Sequence, residues 1–308
     1  MVAAAILVFA GAAVSAQSKP DFTVLLYPEG QNSDCGVALG PLESNGVADP
    51  EFTKPNGDLY NVGDSARFDV YIPADPNGQM VVFCPGGGYA YSAPLTEGSR
   101  IAEVLLKEGI TAAVLHYRMP HGHYEIPLTD VQNTFRWCRA HADELGVKQI
   151  GIFGGSAGGH LAATASNMWT DELTRPDFCI LYYPVITMDD RWTNGWTKGN
   201  LLGDKKGDAE LVAKYSLENA VSERTPRTFI LQCEDDRAVP MENAIGYYYA
   251  LRAHKVPAEL HIYARGGHGF GGNKAQYVGE GRDSFGYARD TFEPSLLRWL
   301  AEMRESAK

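Results

Sequence analysis

Residues 151–160 read Gly-Ile-Phe-Gly-Gly-Ser-Ala-Gly-Gly-His, a stretch in which glycines surround a single serine. Within it, Gly154-x-Ser156-x-Gly158 follows directly on a short apolar run. The pattern is typical of a nucleophile elbow, a sharp turn between a strand and a helix that presents a serine hydroxyl above a sheet. A glycine two residues to either side is needed because a Cβ there would collide with neighbouring backbone. In a chain of 308 residues with 33 glycines the pattern is only weakly specific, so its meaning depends on the rest of the sequence.

Apolar runs on either side of the elbow predict a mostly parallel sheet. Residues 66–72 alternate apolar and polar side chains, which indicates a half-buried strand. The other runs are short and continuously apolar, as expected for strands that are covered on both faces. These predicted strands are residues 80–84, 111–116, 149–154, 178–183, 228–233 and 259–263.

Helical patterns fill the intervals between the predicted strands. They lie around residues 101–105 and over 130–142, 156–168, 242–253 and 292–303. Alternating strands and helices predict an α/β fold, in which a doubly wound, mostly parallel sheet carries helices on both faces. We expect one domain over residues 20–308, with residues 186–219 as an insertion after a strand and a candidate lid.

Composition narrows the classes of partner. The chain carries 27 Lys and Arg against 38 Asp and Glu residues, a formal net charge of −11. The negative electrostatic field of such a protein repels nucleic acid and anionic membranes, so we expect neither as a partner. A neutral or cationic partner is favoured.

The five cysteines are odd in number and unclustered, a spacing that predicts neither a disulfide framework nor a zinc site. Cys84, Cys179 and Cys233 lie in predicted strands, where a free thiol packs as a small apolar group. Cys35 and Cys138 lie outside the predicted strands. We therefore expect the apolar core, rather than disulfides, to stabilise the fold.

Residues 1–16 have the composition of an export signal. They are mainly alanine and aliphatic residues and end in Val14-Ser15-Ala16, a sequence typical of a cleavage site. The run is too short to anchor in a membrane, and no cysteine follows the predicted cut. The usual basic start is missing, because Lys19 is the first basic residue. The sequence predicts a secreted or periplasmic protein, with a buried N-terminal strand or a truncated start as the alternatives.

A glycine-rich loop, Pro85-Gly86-Gly87-Gly88-Tyr89, follows the predicted strand 80–84. In an open α/β sheet, ligands bind beyond the carboxyl ends of the strands, where this loop lies. Acyl transfer needs backbone N–H groups that point at a developing oxyanion, and glycines let the chain approach closely. We predict an oxyanion hole made by the N–H of Gly87 or Gly88 and that of Ala157, at the start of the elbow helix. An ordinary tight turn is the alternative.

Two further loops supply a carboxylate and a histidine. Residues 234–240 follow the strand 228–233, and Asp236 is the candidate acid there, with Asp235 as the alternative. His268 lies among glycines in residues 266–271, on an exposed loop that lets its ring reach Ser156 as general base. A carboxylate that accepts a hydrogen bond from this histidine would fix its tautomer and stabilise the imidazolium.

The remaining histidines suggest simpler roles. His121 and His123 form a His-x-His pair in a loop rich in proline and glycine, but no third metal ligand is near in sequence. His160 lies one turn into the elbow helix, where we expect it to pack or to form hydrogen bonds rather than act as a second base.

Aromatic residues in the loops form a candidate sugar-binding surface. Tyr89 and Tyr91 follow the glycine loop, and Trp192 and Trp196 lie in the 186–219 insertion. Their rings could stack on a sugar, with local packing as the alternative.

These loops together make the chain resemble the α/β-hydrolase superfamily and, more narrowly, secreted bacterial acetyl xylan esterases and related carbohydrate acetylesterases. The matching segments are residues 85–89, Tyr117-Arg118, the 130–142 helix with Arg139-Ala140-His141-Ala142, and residues 154–161, 235–240 and 266–269. The resemblance implies Ser156 as nucleophile, Asp236 as acid and His268 as base, in the chain order of that superfamily.

Two departures from the family's pattern concern the loops rather than these three residues. Pro85 stands where many relatives have histidine, and Thr193-Asn194 stands where the family usually has Thr-His.

The resemblance implies a serine carboxylesterase that removes small acyl groups, chiefly acetyl, from plant-polysaccharide sugars such as xylan. It implies an acyl-enzyme, an acylated carbohydrate as partner, and no metal or organic cofactor. The alternatives are a feruloyl esterase, an arylformamidase- or peptidase-like hydrolase, and a non-catalytic carbohydrate-binding protein that has kept the fold. The sequence leaves the oligomeric state open.

Overall fold

An eight-stranded sheet lies at the centre of the computed structural model, which describes residues 19–27, 51–53, 60–62, 66–270 and 284–306. The strand order is β1-β4-β6-β5-β7-β8-β9-β10. Strand β4 runs antiparallel to both of its neighbours, and every pairing from β6 to β10 is parallel. The strands are β1 (Phe22–Leu25), β4 (Arg67–Tyr71), β5 (Gln79–Cys84), β6 (Thr111–His116), β7 (Gln149–Gly155), β8 (Phe178–Tyr182), β9 (Arg227–Cys233) and β10 (Ala258–Tyr263), and a separate hairpin pairs β2 (Glu51–Thr53) with β3 (Tyr60–Val62).

Helices cover both faces of this sheet, which confirms the predicted doubly wound fold. Helices α2, α3 and α6 pack their buried apolar residues on one face, and α1 and α7 pack theirs on the other. The α-helices are α1 (Arg100–Leu106), α2 (Ile126–Ala140), α3 (Ser156–Asn167), α4 (Gly195–Leu202), α5 (Ala209–Tyr215), α6 (Glu242–Ala253) and α7 (Ser284–Ser306).

The sequence of strand β5 is continuously apolar because the strand is buried on both faces. Successive side chains of a strand point to opposite faces. Accordingly, Met80 and Val82 lie in the core under α2, α3 and α6, whereas Val81 and Phe83 lie in the core under α1 and α7. Because both faces are covered, no position in this strand favours a polar side chain that faces water.

The structure differs from the sequence prediction at both edges of the sheet. Strand β1 was not predicted, and it is a short edge strand with exposed apolar side chains such as Leu25. Strand β10 was predicted to be covered on both faces, but it forms the other edge and its side chains are partly exposed. The predicted strand 178–183 ends one residue early because Tyr183 has a φ of 37°, outside the extended region.

The 186–219 segment contains α4 and α5 and two short 3₁₀ turns, none of which was predicted. Its buried apolar residues join the core on the α3 side of the sheet; they include Leu201, Leu202, Tyr215 and Leu217. The segment is thus packed against the sheet domain over much of its length.

Several predictions about the N-terminus and the cysteines fall partly outside the described residues. Residues 1–16 and Cys35 lie there. The four cysteines within the described ranges are free, buried thiols. No helix in those ranges combines the length and the apolarity needed to cross a bilayer.

A buried ion pair joins the segment after β6 to α2. Arg118 and Asp130 have side chains that are 1% and 0% exposed, and the Arg118 guanidinium donates to both carboxylate oxygens at 2.5–3.1 Å. The Arg118 backbone N–H also donates to Asp130, at 2.8 Å, and so does the hydroxyl of Tyr27, at 2.7 Å. This network fixes the position of the backbone at Arg118, directly after Tyr117.

We expect Asp130→Ala to lower the free energy of unfolding by about 3–5 kcal/mol, because it leaves the Arg118 charge buried without its carboxylate. Urea unfolding of the purified variant measures this change. The matched control is Glu172→Ala, which removes the exposed Arg224–Glu172 pair (54% and 69% exposed) and should cost less than about 1 kcal/mol. Equal losses in the two variants would contradict the assignment of the buried pair as a stabilising network.

His160 links three elements through a second buried network. Its Nε2 lies 2.9 Å from the carbonyl oxygen of Tyr215, and its Nδ1 lies 3.0 Å from the hydroxyl of Tyr89. A carbonyl can only accept, so Nε2 carries the hydrogen and Nδ1 accepts from the Tyr89 hydroxyl. His160 therefore forms hydrogen bonds within the core, as the sequence predicted, and it does so as the neutral imidazole.

Burial lowers the pKa of His160 to about 4, from an ordinary value of 6.5, even though the hydrogen bond to Tyr215 acts in the opposite direction. The folded state therefore resists protonation while the unfolded chain accepts it. Below pH 6.5 the unfolded state binds more protons, so stability falls as the pH drops toward 4.

We expect the wild-type protein to lose about 2 kcal/mol more stability than His160→Gln between pH 7 and pH 5, since the glutamine does not titrate. Urea unfolding of both proteins at the two pH values tests this difference. An identical pH dependence in the two proteins would show that His160 is not held neutral by the fold.

Candidate functional site

The turn between β7 and α3 is a sharp elbow with Ser156 at its tip. Strand β7 ends at Gly155 and α3 begins at Ser156, whose φ of 53° lies in the left-handed region that non-glycine residues rarely adopt. A Cβ built on Gly158 would overlap the carbonyl oxygen of Cys84, and one on Gly154 would overlap the carbonyl of Gly158. Both glycines are therefore needed for helix α3 to begin this close to the sheet.

His268 lies within hydrogen-bond distance of Ser156. The distance from His268 Nε2 to Ser156 Oγ is 2.9 Å, and the distance from His268 Nδ1 to Asp236 Oδ2 is 2.8 Å. A carboxylate only accepts, so Nδ1 carries the hydrogen and Nε2 is left to accept from the serine hydroxyl. The structure thus brings together three predicted residues from loops that follow β7, β9 and β10.

The position of Asp236 distinguishes it from Asp235. The Asp236 side chain is fully buried, and its second oxygen accepts from the backbone N–H of Ala238 at 2.8 Å and of Val239 at 2.9 Å. Asp235 is exposed and accepts instead from the backbone N–H of Gly267, at 2.8 Å. Asp236 therefore contacts the imidazole, whereas Asp235 holds the loop that carries it.

Tyr183 packs against the histidine from the side of the sheet. Its ring centroid lies 4.8 Å from that of His268 in an edge-to-face arrangement, and the Tyr183 side chain is buried. The His268 side chain is 26% exposed, so one face of the imidazole is supported by protein while the other is accessible. Such a ring can accept a proton from Ser156 and release it to a group that arrives from solvent.

The glycine loop lies against the elbow, since a Cβ built on Gly86 would be 2.9 Å from the Cβ of Ser156. Gly87 and Gly88 have φ values of 131° and 64°, which only glycine adopts readily. Among the described residues, no protein group accepts a hydrogen bond from the N–H of Gly87 or Gly88, or from that of Ala157 in the first turn of α3. These three groups are available to an oxyanion beside Ser156.

The structure corrects the prediction for Tyr89. Its side chain is 2% exposed, and its hydroxyl donates to His160 in the core, so it offers no face to a sugar. The cause is the backbone, because Tyr89 itself has a φ of 59° after two glycines of positive φ and its ring turns inward.

Trp196 and Tyr91 form an aromatic pair at the surface beside the glycine loop. Trp196 is 52% exposed, its ring lies 5.8 Å from that of Tyr91, and a Cβ on Gly88 would overlap it. Trp192 is also exposed but lines a cavity of about 240 Å³ whose lining does not include Ser156, His268 or Trp196. The structure therefore brings only Trp196 of the two tryptophans against the glycine loop.

The two departures from the family's pattern each have a defined contact. The carbonyl of Pro85 accepts from the hydroxyl of Tyr117 at 2.6 Å. Asn194 caps α4 by accepting from the N–H of Thr197, and its Nδ2 donates to the carbonyl of Ala238, at 2.9 Å, in the loop that carries Asp236. His121 and His123 do not belong to a metal-binding group: within the described part of the chain, no three His, Cys, Asp or Glu side chains are close enough to hold an ion.

Two residues that contact the glycine loop were missed in the sequence. Glu97 lies in a π-helical turn before α1 and accepts from the N–H of Gly86 at 2.8 Å. Asn200 lies in α4 and donates to the carbonyl of Gly88 at 2.8 Å. Neither belongs to a motif, and their proximity to the loop arises from the path of the chain.

Comparison with known proteins agrees with this arrangement. A family model described as an alpha/beta hydrolase fold matches residues 81–271. An acetylxylan esterase of Xylanibacter ruminicola is 42% identical over 212 residues, which are 67% of this chain and 44% of that protein. An endo-1,4-beta-xylanase B of Butyrivibrio fibrisolvens is 34% identical over 211 residues, 63% of this chain and 33% of that protein.

Two solved structures are similar over most of their length. The acetyl ester-xyloside bifunctional hydrolase of Caldicellulosiruptor lactoaceticus has a TM-score of 0.63 and 33% identity, covering 76% of this chain and 89% of that one. A carboxylesterase of Lactobacillus plantarum has a TM-score of 0.66 and 25% identity, covering 77% and 92%.

The chain spans less than half the length of the two curated relatives named above, so the similarity to them concerns one part of each. The family match, in contrast, includes the glycine loop, the elbow, Asp236 and His268. By sequence match and by fold, the chain belongs to the α/β-hydrolase family.

Proposed function

We propose that this protein is a serine carboxylesterase that removes small acyl groups, chiefly acetyl, from plant-polysaccharide sugars such as xylan. The observation that carries the proposal is the hydrogen-bonded series from Ser156 through His268 to Asp236, next to backbone N–H groups without acceptors among the described residues. A serine, a base and unengaged donors in one place are what acyl transfer requires.

In this mechanism Ser156 Oγ attacks the ester carbonyl while its proton passes to His268 Nε2. The carbonyl oxygen becomes an oxyanion and accepts from the N–H groups of Ala157 and of Gly87 or Gly88. Asp236 stabilises the imidazolium through Nδ1. The tetrahedral intermediate collapses, and the sugar alcohol leaves with the proton from His268.

A water molecule then completes the cycle. It attacks the acyl-enzyme as His268 takes its proton, and collapse of the second intermediate breaks the bond to Ser156 Oγ, which regains a proton from His268. The products are a free carboxylic acid and the deacylated sugar, and every step is a proton transfer or an acyl transfer without redox change.

The choice of acetyl and xylan rests on the named relatives. One is an acetylxylan esterase and another an acetyl ester-xyloside bifunctional hydrolase. The site supports an acylated sugar because Trp196 is exposed beside Gly88 and provides an aromatic face for a sugar ring. Feruloyl esterase activity and amide hydrolysis are the alternatives, because the same elbow and glycine loop serve any acyl transfer. A non-catalytic carbohydrate-binding role would leave the Ser156–His268 pair without a use.

Three further proposals concern the chain as a whole. Residues 20–308 form one catalytic unit, and residues 186–219 cover the site. We also propose that the protein is exported from the cytoplasm, because residues 1–16 have the composition of an export signal. Determining the N-terminal sequence of the mature protein tests this.

We expect the protein to release acetate from acetylated xylo-oligosaccharides and to hydrolyse p-nitrophenyl acetate faster than the butyrate or feruloyl esters. Measuring acid release from each ester by chromatography under the same conditions tests this order.

Ser156→Ala should lose at least about 10⁴-fold in kcat on every ester and keep its fold. Trp196→Ala should raise KM for the oligosaccharide while KM for p-nitrophenyl acetate stays near wild type. A wild-type preference for feruloyl esters, or turnover by Ser156→Ala, would refute the proposal.

Asp236→Asn should lower kcat by about 10⁴-fold, because an amide at this position favours the wrong histidine tautomer. The matched control is Asp235→Asn, one residue away, which leaves the carboxylate–imidazole contact intact and should retain most of the activity. Steady-state kinetics on p-nitrophenyl acetate compare the two. If Asp235→Asn were the more damaging change, the roles assigned to the two carboxylates would be reversed.

A further inference from the structure

We propose that Glu97 and Asn200 are positioning residues that orient the oxyanion loop, defined as residues 85–89, from its two ends. This inference rests on the proposed acyl-transfer function and adds two residues that act through the backbone of the loop. Through Asn200, the 186–219 segment would then help to orient the backbone groups that stabilise the transition state.

The first peptide unit of the oxyanion loop is held at both of its polar atoms. The carbonyl of Pro85 accepts from the Tyr117 hydroxyl at 2.6 Å, and the N–H of Gly86, in the same peptide unit, donates to Glu97 Oε2 at 2.8 Å. A peptide unit is planar, with its C=O and N–H pointing in opposite directions. Holding both atoms therefore fixes the orientation of this unit before the chain reaches Gly87.

The next two carbonyls of the loop accept hydrogen bonds from the residues that follow it. The carbonyl of Gly86 accepts from the N–H of Ala93 at 3.0 Å, and the carbonyl of Gly87 accepts from the N–H of Ala90 at 3.1 Å. The N–H groups of the same two peptide units belong to Gly87 and Gly88. Since each N–H points opposite to its carbonyl, these two donors point away from residues 90–93 and are not used by the loop itself.

The far end of the loop is held by the 186–219 segment. The carbonyl of Gly88 accepts from Asn200 Nδ2 at 2.8 Å, and the ring of Trp196, one turn earlier in α4, lies against Gly88. Glycines at positive φ can rotate their peptide units at little steric cost. Side-chain contacts at both ends therefore add to the backbone hydrogen bonds of the loop in keeping Gly87 and Gly88 in one orientation.

Glu97 also lies close to the elbow. A Cβ built on Gly86 would be 2.5 Å from Glu97 Oε2 and 2.9 Å from the Cβ of Ser156, and one on Gly155 would be 2.5 Å from the same carboxylate oxygen. Glu97 thus lies between the oxyanion loop and the residue before the nucleophile. From there, one carboxylate oxygen sets the distance between the oxyanion loop and Ser156. Both must contact the ester carbonyl group of the substrate.

The test is steady-state kinetics on p-nitrophenyl acetate with Glu97→Ala, Glu97→Gln and Asn200→Ala. We expect Glu97→Ala and Asn200→Ala each to lower kcat by about 10- to 100-fold with KM nearly unchanged, because small displacements of an oxyanion donor act on the transition state. Glu97→Gln should recover most of kcat, because its amide oxygen still accepts from Gly86. A Glu97→Gln variant as impaired as Glu97→Ala would overturn the positioning role, since charge rather than the hydrogen bond would then matter.

A second readout separates positioning from general loss of structure. A short trifluoromethyl ketone adds to Ser156 Oγ and forms a tetrahedral oxyanion in the same hole. Its inhibition constant should rise in proportion to the loss in kcat/KM across the variants, and thermal unfolding should show them folded. If the inhibition constant stayed at its wild-type value while kcat fell, the proposal would be wrong.

The matched controls are Glu108→Ala and Asn219→Ala, which should behave as wild type. Glu108 is exposed beyond α1, and Asn219 is exposed, with its side chain donating to the carbonyl of Ala213 within its own segment. Should Glu97→Ala fail to fold, Asn200→Ala decides the proposal alone. Wild-type protein without activity on any ester would refute the proposed function, whereas active wild type with unaffected Asn200→Ala would refute only this inference.

Discussion

The close approach of α3 to the end of β5 is the constraint on which the site depends. The Cα of Gly158 lies so near the carbonyl oxygen of Cys84 that no side chain fits between them. Since Ser156 is two residues before Gly158, and the oxyanion loop begins directly after Cys84, this one contact fixes Ser156 beside the loop. The cost is a left-handed backbone at Ser156, which the surrounding sheet and helix maintain.

Buried polar contacts transmit this arrangement to the rest of the molecule. Asp236 is held by two backbone N–H groups, Arg118 by Asp130, and His160 by Tyr89 and Tyr215, all within the core. The two bonds of His160 join segments that are far apart in the sequence, whereas the bonds to Asp236 are formed within one loop. In a low-dielectric interior such bonds are strong when satisfied and costly when broken, so they specify one arrangement of the loops.

The central strands and the elbow were predictable because their signals are local. The apolar run over β5 reflects coverage on two faces, and the glycines around Ser156 reflect a steric limit. The edge strand β1 lacked such a signal, because its exposed residues need no regular pattern. Helices α4 and α5 were missed because they are only eight and seven residues long, and α4 begins with glycine.

The site was predictable only in part, for a related reason. Ser156, Asp236 and His268 each follow a strand, and the ends of parallel strands meet at one edge of the sheet. Tyr89 was misjudged because its burial follows from a positive φ that the residue type does not indicate. Glu97 and Asn200 carry no pattern at all, since a single polar side chain acquires its meaning only from the backbone group that it meets.

The attachment of α4 to the oxyanion loop has a consequence for evolution and for engineering. Segments that connect the main elements of a fold vary more than those elements and often carry binding residues, so exchanging one is a route to new substrate preference. Here the same segment supplies Asn200 to the carbonyl of Gly88 and the carbonyl of Tyr215 to His160. On the proposed positioning role of Asn200, a grafted segment that lacks these two groups would alter turnover together with selectivity.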